Sequence, residues 1–222
     1  MRTRAALFRA AGVPLELREI EVAEPGEGQV LVRMAAVGVC GSDLHVIRGE
    51  WTRPAPMILG HEGSGVVEAV GPGVESPAPG DPVVISWAPA CGECAPCLAG
   101  RETACLALRA AIRAGTMLDG TTGLEVDGGP VYRMTTVGAL AEHVLVPAAT
   151  ALPIPADVPL EQAALLGCAA LTGVGAVLTG NRVEPGASVL VVGAGGVGQF
   201  VVQGARIAGA ARIVAVDHFP GR

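Results

Sequence analysis

The stretch that organises this chain reads Cys40-Gly41-Ser42-Asp43-Leu44-His45 and, after a loop, Gly60-His61-Glu62. Cysteine sulfur and histidine nitrogen are preferred zinc ligands, and a catalytic zinc takes three protein ligands while leaving a fourth position open. Cys40 and His61 are therefore predicted to share a metal ion. For either residue alone, a small buried thiol or a satisfied core histidine is the simpler alternative.

A third ligand must come from elsewhere in the chain. Cys168 is the candidate, because the other four cysteines form a cluster of their own. His143 is the alternative, although it lies in an alternating strand pattern without a partner motif. The sequence thus predicts a catalytic zinc on Cys40, His61 and Cys168.

The cysteine cluster reads Cys91-Gly-Glu-Cys94-Ala-Pro-Cys97 and, after seven intervening residues, Cys105. Two-residue gaps let successive sulfurs converge on one tetrahedral ion about 2.3 Å away, and a closed four-sulfur site is structural rather than catalytic. Metal binding would then supply folding energy to a lobe of about residues 88–108 that has little apolar content. Disulfide bonds are the alternative, which the spacing and an apparently cytosolic setting disfavour.

A glycine loop follows an apolar strand near the end of the chain. Ser188–Val192 runs directly into Gly193-Ala-Gly195-Gly196-Val-Gly198, a helix follows, and a second strand ends at Asp217, 19 residues after the last glycine. Glycines in this position let the backbone approach a pyrophosphate at a helix N-terminus. The Asp217 carboxylate is expected to accept both ribose hydroxyls and to repel a 2′-phosphate, which favours NAD over NADP. A solvent-exposed carboxylate at a strand end is the alternative for Asp217.

Composition restricts the class of partner. The 222 residues are 50% hydrophobic and 16% charged, so a sizeable core is expected rather than disorder. All 15 basic residues are arginine, the net charge is −6 and no basic run occurs, which argues against nucleic acid or an anionic membrane. The absence of lysine also excludes a lysine Schiff base or lysine general base.

Mean hydropathy is +0.50, which is high for a protein outside a membrane. Residues 162–181 carry no charge and are long enough to span a bilayer, but they are rich in glycine, alanine and threonine. Buried helices and parallel strands account for such runs. Arg2, Arg4 and Arg9 interrupt any N-terminal apolar run, so no signal peptide is predicted and a cytoplasmic location is expected.

The first part of the chain reads as short strands at regular spacing, which predicts a β-barrel or sandwich. Residues 106–136 are predicted to be turns joined by short strands. A helix is predicted to start at Leu160, with Cys168 on the helix or just after its end. The predicted strands are Gln29–Val37, Gly63–Val70, Pro82–Ser86 and Ala141–Val146.

Together these motifs resemble the zinc-dependent medium-chain alcohol dehydrogenase family, over the whole chain. The resemblance implies a mixed fold, with a GroES-like β-barrel catalytic domain over residues 1–169 and the first part of an α/β Rossmann domain over residues 170–222. Family members continue for well over a hundred residues. We therefore expect the chain to be C-terminally truncated, and turnover to need the remainder.

The implied reaction is reversible hydride transfer between a small primary alcohol, or its aldehyde, and NAD, with two zinc ions in each subunit of a homo-oligomer. By the same resemblance, Ser42 takes the alcohol proton and His45 passes it to solvent. Asp43 is expected to hold His61 from outside the metal's ligand shell, and Glu62 to lie behind the metal.

The resemblance also assigns the cofactor and substrate contacts. Trp51 and Trp87 fall where family members line the substrate pocket, which two large rings would narrow. Gly41 replaces a basic side chain that some members hold against the pyrophosphate. Glutathione-dependent formaldehyde oxidisers carry acidic residues where this chain has Gly49 and Trp51, so that substrate is disfavoured. The cofactor contacts are expected from Thr172, Gly193, Gly195, Gly196, Val197, Gly198, Asp217 and Arg222.

Three alternatives stay open at this point. A polyol or amino-alcohol dehydrogenase of the same family would differ only in substrate. A zinc-free relative of quinone reductases would lack the metal, which the cysteine motifs argue against. A non-catalytic fragment that binds zinc and nucleotide is the third, because the C-terminal half of the dinucleotide domain is missing.

Overall fold

The computed structural model describes residues 1–221, in two compact units, Met1–Gly167 and the described residues from Cys168 onward. The sequence places the domain boundary two residues later, after residue 169. Arg222, a predicted cofactor contact, lies outside the described residues.

The first unit is built on two sheets that curl around a shared interior. Their strand orders are β8-β7-β2-β1-β4-β9 and β10-β3-β5-β6-β11, antiparallel throughout except for the parallel pair β4 and β9. A single bridge between Ala5 and Ala141 joins the two sheets. The strands are β1 Arg2–Phe8, β2 Glu16–Val22, β3 Gln29–Gly38, β4 Met57–Ile58, β5 Glu62–Val70, β6 Pro82–Ile85, β7 Leu124–Val126, β8 Gly129–Pro130, β9 Tyr132–Arg133, β10 His143–Pro147 and β11 Ala151–Pro153.

Buried and exposed side chains alternate along these strands because successive residues point to opposite faces of a sheet. In β1, Ala5 and Leu7 are buried whereas Arg2 and Arg4 face solvent. The first half of strand β3 is buried on both faces and divides its residues between two cores. Leu31 packs in the core of the first sheet, and Val30 and Val32 pack in that of the second. The predicted barrel of short strands is confirmed.

One helix of the first unit differs from the sequence-based expectation. Residues 106–114 form a helix where turns and short strands were predicted, although the short strands β7 to β9 do follow it. Cys105 caps this helix, because its sulfur accepts the N–H of Leu108, and Gly115 ends it at φ +71°. A cysteine is not a usual N-cap residue, so the helix start carried no recognisable signal. The helices of this unit are α1 Gly41–Ile47, α2 Ala95–Leu98, α3 Leu106–Ala114 and α4 Leu160–Ala163.

The second unit contains the predicted strand, helix and strand. The strands β12 Ser188–Val192 and β13 Arg212–Val216 are parallel neighbours, connected by helix α6 Gly196–Ile207. Before them, helix α5 Ala169–Gly175 continues as a π-helix over Ala176–Gly180. The helix predicted from Leu160 ends at Gly167, just before Cys168 as expected, because Cys168 has a non-helical φ of −140° and ψ of −71°.

Within residues 1–221, no single helix is both long and apolar enough to cross a membrane. One bent pair, Leu160–Gly167 with Ala169–Gly180, meets that length and composition requirement only when its two helices are taken together.

Arg133 is a fully buried cation in the interior of the first unit. Its Nε donates to the carbonyl oxygen of Thr122, and its Nη1 donates to those of Val137, at 3.1 Å, and Leu145. Burial lowers the pKa of the guanidinium to about 9, and the carboxylate of Asp119 opposes that shift. The side chain thus joins three chain segments through their carbonyl groups.

Replacing Arg133 with methionine should destabilise the first unit by about 3 kcal/mol, because each buried carbonyl left without a donor costs about 1–3 kcal/mol. The measurement is the urea unfolding midpoint. Arg113→Met, on the exposed side of α3, is the matched control and should unfold like the wild type. Equal midpoints for the two variants would contradict a structural role for Arg133.

Candidate metal centres and nucleotide-binding loop

Asp43 connects the two segments that carry the predicted catalytic ligands. Cys40 precedes the first turn of α1, and Asp43 lies within that turn. One carboxylate oxygen of Asp43, Oδ2, accepts the backbone N–H of Cys40 at 2.8 Å, and the other, Oδ1, accepts that of Gly60 at 2.8 Å. Asp43 is only 1% exposed. A single buried carboxylate therefore fixes the backbone beside both Cys40 and His61.

His61 is 3% exposed, and its Nδ1 lies 3.8 Å from Oδ1 of Asp43. The ring of Trp87 meets the His61 ring edge to face at 6.3 Å. Burial opposes ionisation of Asp43, but the neighbouring imidazole of His61 and the N–H donors of Cys40 and Gly60 outweigh it, so the pKa of Asp43 lies below its usual value. Asp43 lies next to the His61 ring, while its supporting role and metal binding by His61 both stay predictions.

The Cys40 thiol is placed to ionise. Burial raises its pKa, but the backbone N–H and hydroxyl of Ser42, followed by His61, outweigh burial and lower the pKa of Cys40. A thiolate is the form that binds a metal. The arrangement therefore favours the ligand state of Cys40 and brings the Ser42 hydroxyl to the predicted metal ligand.

Glu62 is buried at the start of β5 and lies against Gly38 of β3. A Cβ at position 38 would stand 2.8 Å from the Glu62 carboxyl carbon. Gly38 thus leaves the space that the Glu62 side chain occupies, a requirement that the sequence did not reveal. The predicted position of Glu62 behind a metal stays a prediction.

Cys168 is the first residue of the second unit, and its role as third ligand stays a prediction. One peptide bond joins it to Gly167, which is packed in the first unit so tightly that a Cβ there would stand 2.4 Å from the carbonyl oxygen of Ile85. The alternative ligand, His143, is occupied elsewhere. Its Nδ1 is 2.9 Å from the hydroxyl of Thr3, and its Nε2 is 3.2 Å from the carboxylate of Glu68.

The four cysteines of the predicted structural site converge, and their sulfur atoms all lie within 4.8 Å of one another. The sulfur of Cys94 is 3.4 Å from that of Cys97 and 4.0 Å from that of Cys105, and the sulfurs of Cys91 and Cys97 are 4.0 Å apart. Four sulfurs at about 2.3 Å from a tetrahedral zinc would be about 3.8 Å apart. No disulfide joins any of the six cysteines, all of which the structure describes. The donor set therefore fits zinc.

Backbone N–H groups around this cluster favour thiolates. Leu108 and Cys91 donate to the sulfur of Cys105 and lower its pKa to about 6. Burial and the neighbouring thiol of Cys94 raise the pKa of Cys97 to about 12. The Cys105 thiol thus ionises readily, whereas the Cys97 thiol favours its neutral form. A divalent cation would favour the thiolate form of both.

His45 lies in the last turn of α1, and its Nδ1 is hydrogen-bonded to the carboxylate of Glu50. The ring of Trp51 stacks on the His45 ring, with centroids 4.8 Å apart. Trp87 packs against the core of the second sheet. The sequence does not predict a role for Glu50, because an acidic residue five positions after a histidine belongs to no motif.

The glycine loop of the second unit has the geometry that its sequence predicts. Gly193 has φ +95°, and its N–H donates to the carbonyl of Val216 at 2.8 Å. A Cβ at Gly198 would stand 1.9 Å from the carbonyl oxygen of Gly193, so only glycine fits there. Gly195 is the N-cap of α6, and Gly196 begins that helix. Thr172 is exposed on α5 and Val197 on α6, so both are accessible, although their contact with a cofactor stays a prediction.

Asp217 is held by the loop itself. Its Oδ2 accepts the N–H of Ala194 at 2.8 Å and its Oδ1 accepts that of Phe219 at 2.9 Å, and the side chain is 4% exposed. A simple solvent-exposed carboxylate, the alternative considered for Asp217, is therefore wrong. The carboxylate joins the end of β13 to the glycine loop, and ribose binding stays a prediction.

Comparison with known proteins agrees with this architecture. The family model for the alcohol dehydrogenase GroES-like domain matches residues 26–156. An S-(hydroxymethyl)glutathione dehydrogenase of Escherichia coli O1:K1 is 42% identical over 221 residues, which are 99% of this chain and 60% of that protein.

Solved structures give the same result. An alcohol dehydrogenase zinc-binding domain protein from Burkholderia ambifaria has a TM-score of 0.93 at 40% identity, with coverage of 100% of this chain and 60% of that one. The benzyl alcohol dehydrogenase of Acinetobacter calcoaceticus has a TM-score of 0.91 at 32% identity, with the same coverage.

The chain thus spans about 60% of the length of these relatives. The family model covers more than half of the chain, and the solved relatives share its fold from end to end. The chain belongs to the alcohol dehydrogenase GroES-like domain family, the family of the zinc-dependent medium-chain alcohol dehydrogenases.

Proposed function

We propose that this chain carries the metal-binding and part of the nucleotide-binding machinery of an NAD-dependent oxidoreductase that acts on a small primary alcohol or its aldehyde. The observation that carries the proposal is the Asp43 carboxylate, which fixes the backbone beside Cys40 and His61 at the same time. Family membership and the alcohol dehydrogenases among the relatives support this reaction class.

The proposed catalytic zinc is held by Cys40, His61 and Cys168, a donor set of two thiolates and one imidazole that suits zinc. When bound, zinc supplies Lewis acidity to the substrate oxygen and so lowers the pKa of the alcohol. The second zinc is held by the four cysteines at positions 91, 94, 97 and 105, where it has no open position and acts on folding.

The protein's own residues then move the alcohol proton. The Ser42 hydroxyl, which lies close enough to Cys40 to lower the pKa of its thiol, takes this proton from the substrate. His45 passes it to solvent, which its 44% exposed side chain contacts directly. Proton transfer by a positioned side chain typically accelerates a reaction by about 10²- to 10⁴-fold.

NAD is proposed to bind over the glycine loop, with its pyrophosphate at the N-terminus of α6 and its adenosine ribose on Asp217. The positive φ of Gly193 and the close approach at Gly198 support such a loop. A cytoplasmic location, homo-oligomeric assembly and the lack of nucleic-acid or membrane partners are further proposals, which rest on the family resemblance and the net charge of −6.

A second substrate, S-(hydroxymethyl)glutathione, is favoured by the name of the 42% identical relative. Gly49 and Trp51 oppose it, because they stand where glutathione-dependent members of the family carry acidic side chains. Steady-state formation of NADH from ethanol, benzyl alcohol and S-(hydroxymethyl)glutathione tests both substrates. Zinc-dependent turnover of the simple alcohols supports the proposal, whereas turnover that survives removal of the metal overturns it. A zinc-replete chain that forms no NADH agrees with the expectation that turnover needs the remaining part of the dinucleotide domain, and it agrees equally with the non-catalytic alternative.

The two metal sites should respond differently to serine substitution. Cys94→Ser should lower the unfolding midpoint and leave one zinc per chain, because the structural ion supplies folding energy to its lobe. Cys40→Ser should also leave one zinc, in a chain that unfolds like the wild type. Elemental analysis and thermal unfolding measure both effects. Wild-type protein without zinc, or with disulfides in this cluster, would contradict the assignment.

Asp43→Asn should weaken zinc binding at the Cys40 site by about 10- to 100-fold, the usual effect of losing a group that supports a ligand. The amide has one acceptor oxygen for two backbone donors, so the segment at Cys40 or that at Gly60 loses its anchor. Zinc affinity is measured by competition with a chelator. Asp157→Asn, at an exposed position, is the control, and equal affinities in the two variants would refute the role of Asp43.

Asp217→Gly should weaken NAD binding by about tenfold or more, as expected for loss of charge-assisted hydrogen bonds to the ribose. It should also relax discrimination against NADP. The ratio of NAD to NADP affinity, measured by calorimetry, separates this effect from loosening of the glycine loop, which affects both cofactors equally. A wild type that prefers NADP would show the assignment to be wrong.

A further inference from the structure

The turn that follows α1 folds back over His45. The carbonyl oxygen of His45 accepts two backbone N–H groups, from Glu50 at 2.9 Å and from Trp51 at 3.2 Å. Gly49 makes the reversal with φ +77°, in a position where a Cβ would stand 2.9 Å from that of Ala11. The turn thereby places the side chains of Glu50 and Trp51 against the imidazole of His45.

Each of these side chains restrains a different property of the imidazole. The Glu50 carboxylate is hydrogen-bonded to Nδ1 of His45. The Trp51 ring lies nearly parallel to the imidazole, at an interplanar angle of 24°, and the guanidinium of Arg53 lies 5.6 Å from the Trp51 ring centroid. Stacking of this kind fixes the plane of a ring, and a hydrogen bond at one ring nitrogen selects the tautomer.

We propose that Glu50 is a positioning residue for His45, with Trp51 as the platform that sets the ring plane. An ionised carboxylate accepts but cannot donate, so neutral His45 must carry its proton on Nδ1. Nε2 is then left with a lone pair, ready to accept a proton. The proton-relay part of this inference rests on the proposed function, whereas the tautomer does not.

The consequence for a relay is direct. A proton accepted at Nε2 converts His45 to an imidazolium whose Nδ1–H still faces the Glu50 carboxylate, and its loss from Nε2 to water restores the starting state. Without Glu50, a neutral imidazole favours the proton on Nε2, the atom that must accept. The carboxylate therefore acts through His45 and touches neither substrate nor cofactor.

The test is the ¹⁵N NMR spectrum of the imidazoles in zinc-loaded protein labelled at its four histidines, recorded at about pH 9, where imidazoles are neutral. His45→Asn assigns the His45 signals. The wild type should show His45 protonated on Nδ1, and Glu50→Ala should shift the population towards Nε2. Glu75→Ala, which removes an exposed carboxylate from a loop elsewhere in the first unit, is the matched control and should leave the spectrum of His45 unchanged.

A wild-type His45 protonated on Nε2 overturns the proposal without reference to any variant, and so does an unchanged tautomer in folded Glu50→Ala. In turnover assays, Glu50→Ala should lower kcat about tenfold or more, a share of what general acid–base catalysis supplies, with zinc content unchanged. Absence of turnover in the wild type bears on the proposed function and its need for the remaining part of the dinucleotide domain, whereas the spectrum alone decides the role of Glu50.

Discussion

The buried carboxylate of Asp43 is the interaction on which the candidate site depends. Removing a charge from water is costly unless hydrogen bonds replace its hydration. Here the backbone N–H groups of Cys40 and Gly60 and the imidazole of His61 surround the carboxylate, so that its ionised form is favoured. Two segments that are about twenty residues apart in the chain are thereby held as one site.

The same solution recurs at two other buried charges. Arg133 is satisfied by the carbonyl groups of three chain segments, and Asp217 is satisfied by the N–H groups of Ala194 and Phe219. In each case backbone groups from separate stretches of the chain replace water around a charge. Because each of these backbone groups loses a partner when the charged side chain is removed, the order of these stretches and the burial of the charge depend on each other.

The two cysteine-containing sites differ in how much of the chain they need. The four-cysteine cluster lies within residues 91–105, and N–H groups of the same lobe donate to its sulfurs. The proposed catalytic site combines Cys40 and His61 from either side of a loop with Cys168, at the start of the second unit. A local cluster can organise a lobe, whereas the proposed site requires the folded barrel and the Asp43 anchor to position its first two ligands.

The sequence by itself determined the features that depend on neighbouring residues. These are the alternating strands of the barrel, the glycine loop between β12 and α6, and the spacing of the cysteine cluster. Only the tertiary structure decided the features that depend on distant contacts. It assigned both nitrogens of His143 to Thr3 and Glu68, gave Asp217 a backbone partner in the glycine loop, and returned Glu50 to His45. The helix that Cys105 caps was also missed, because a thiol acts as a cap only where the cluster holds it. Periodicity and spacing depend on residues that are close in the chain, so the sequence shows them. The partner of a buried polar group depends on how segments far apart in the chain pack together, so only the tertiary structure shows it.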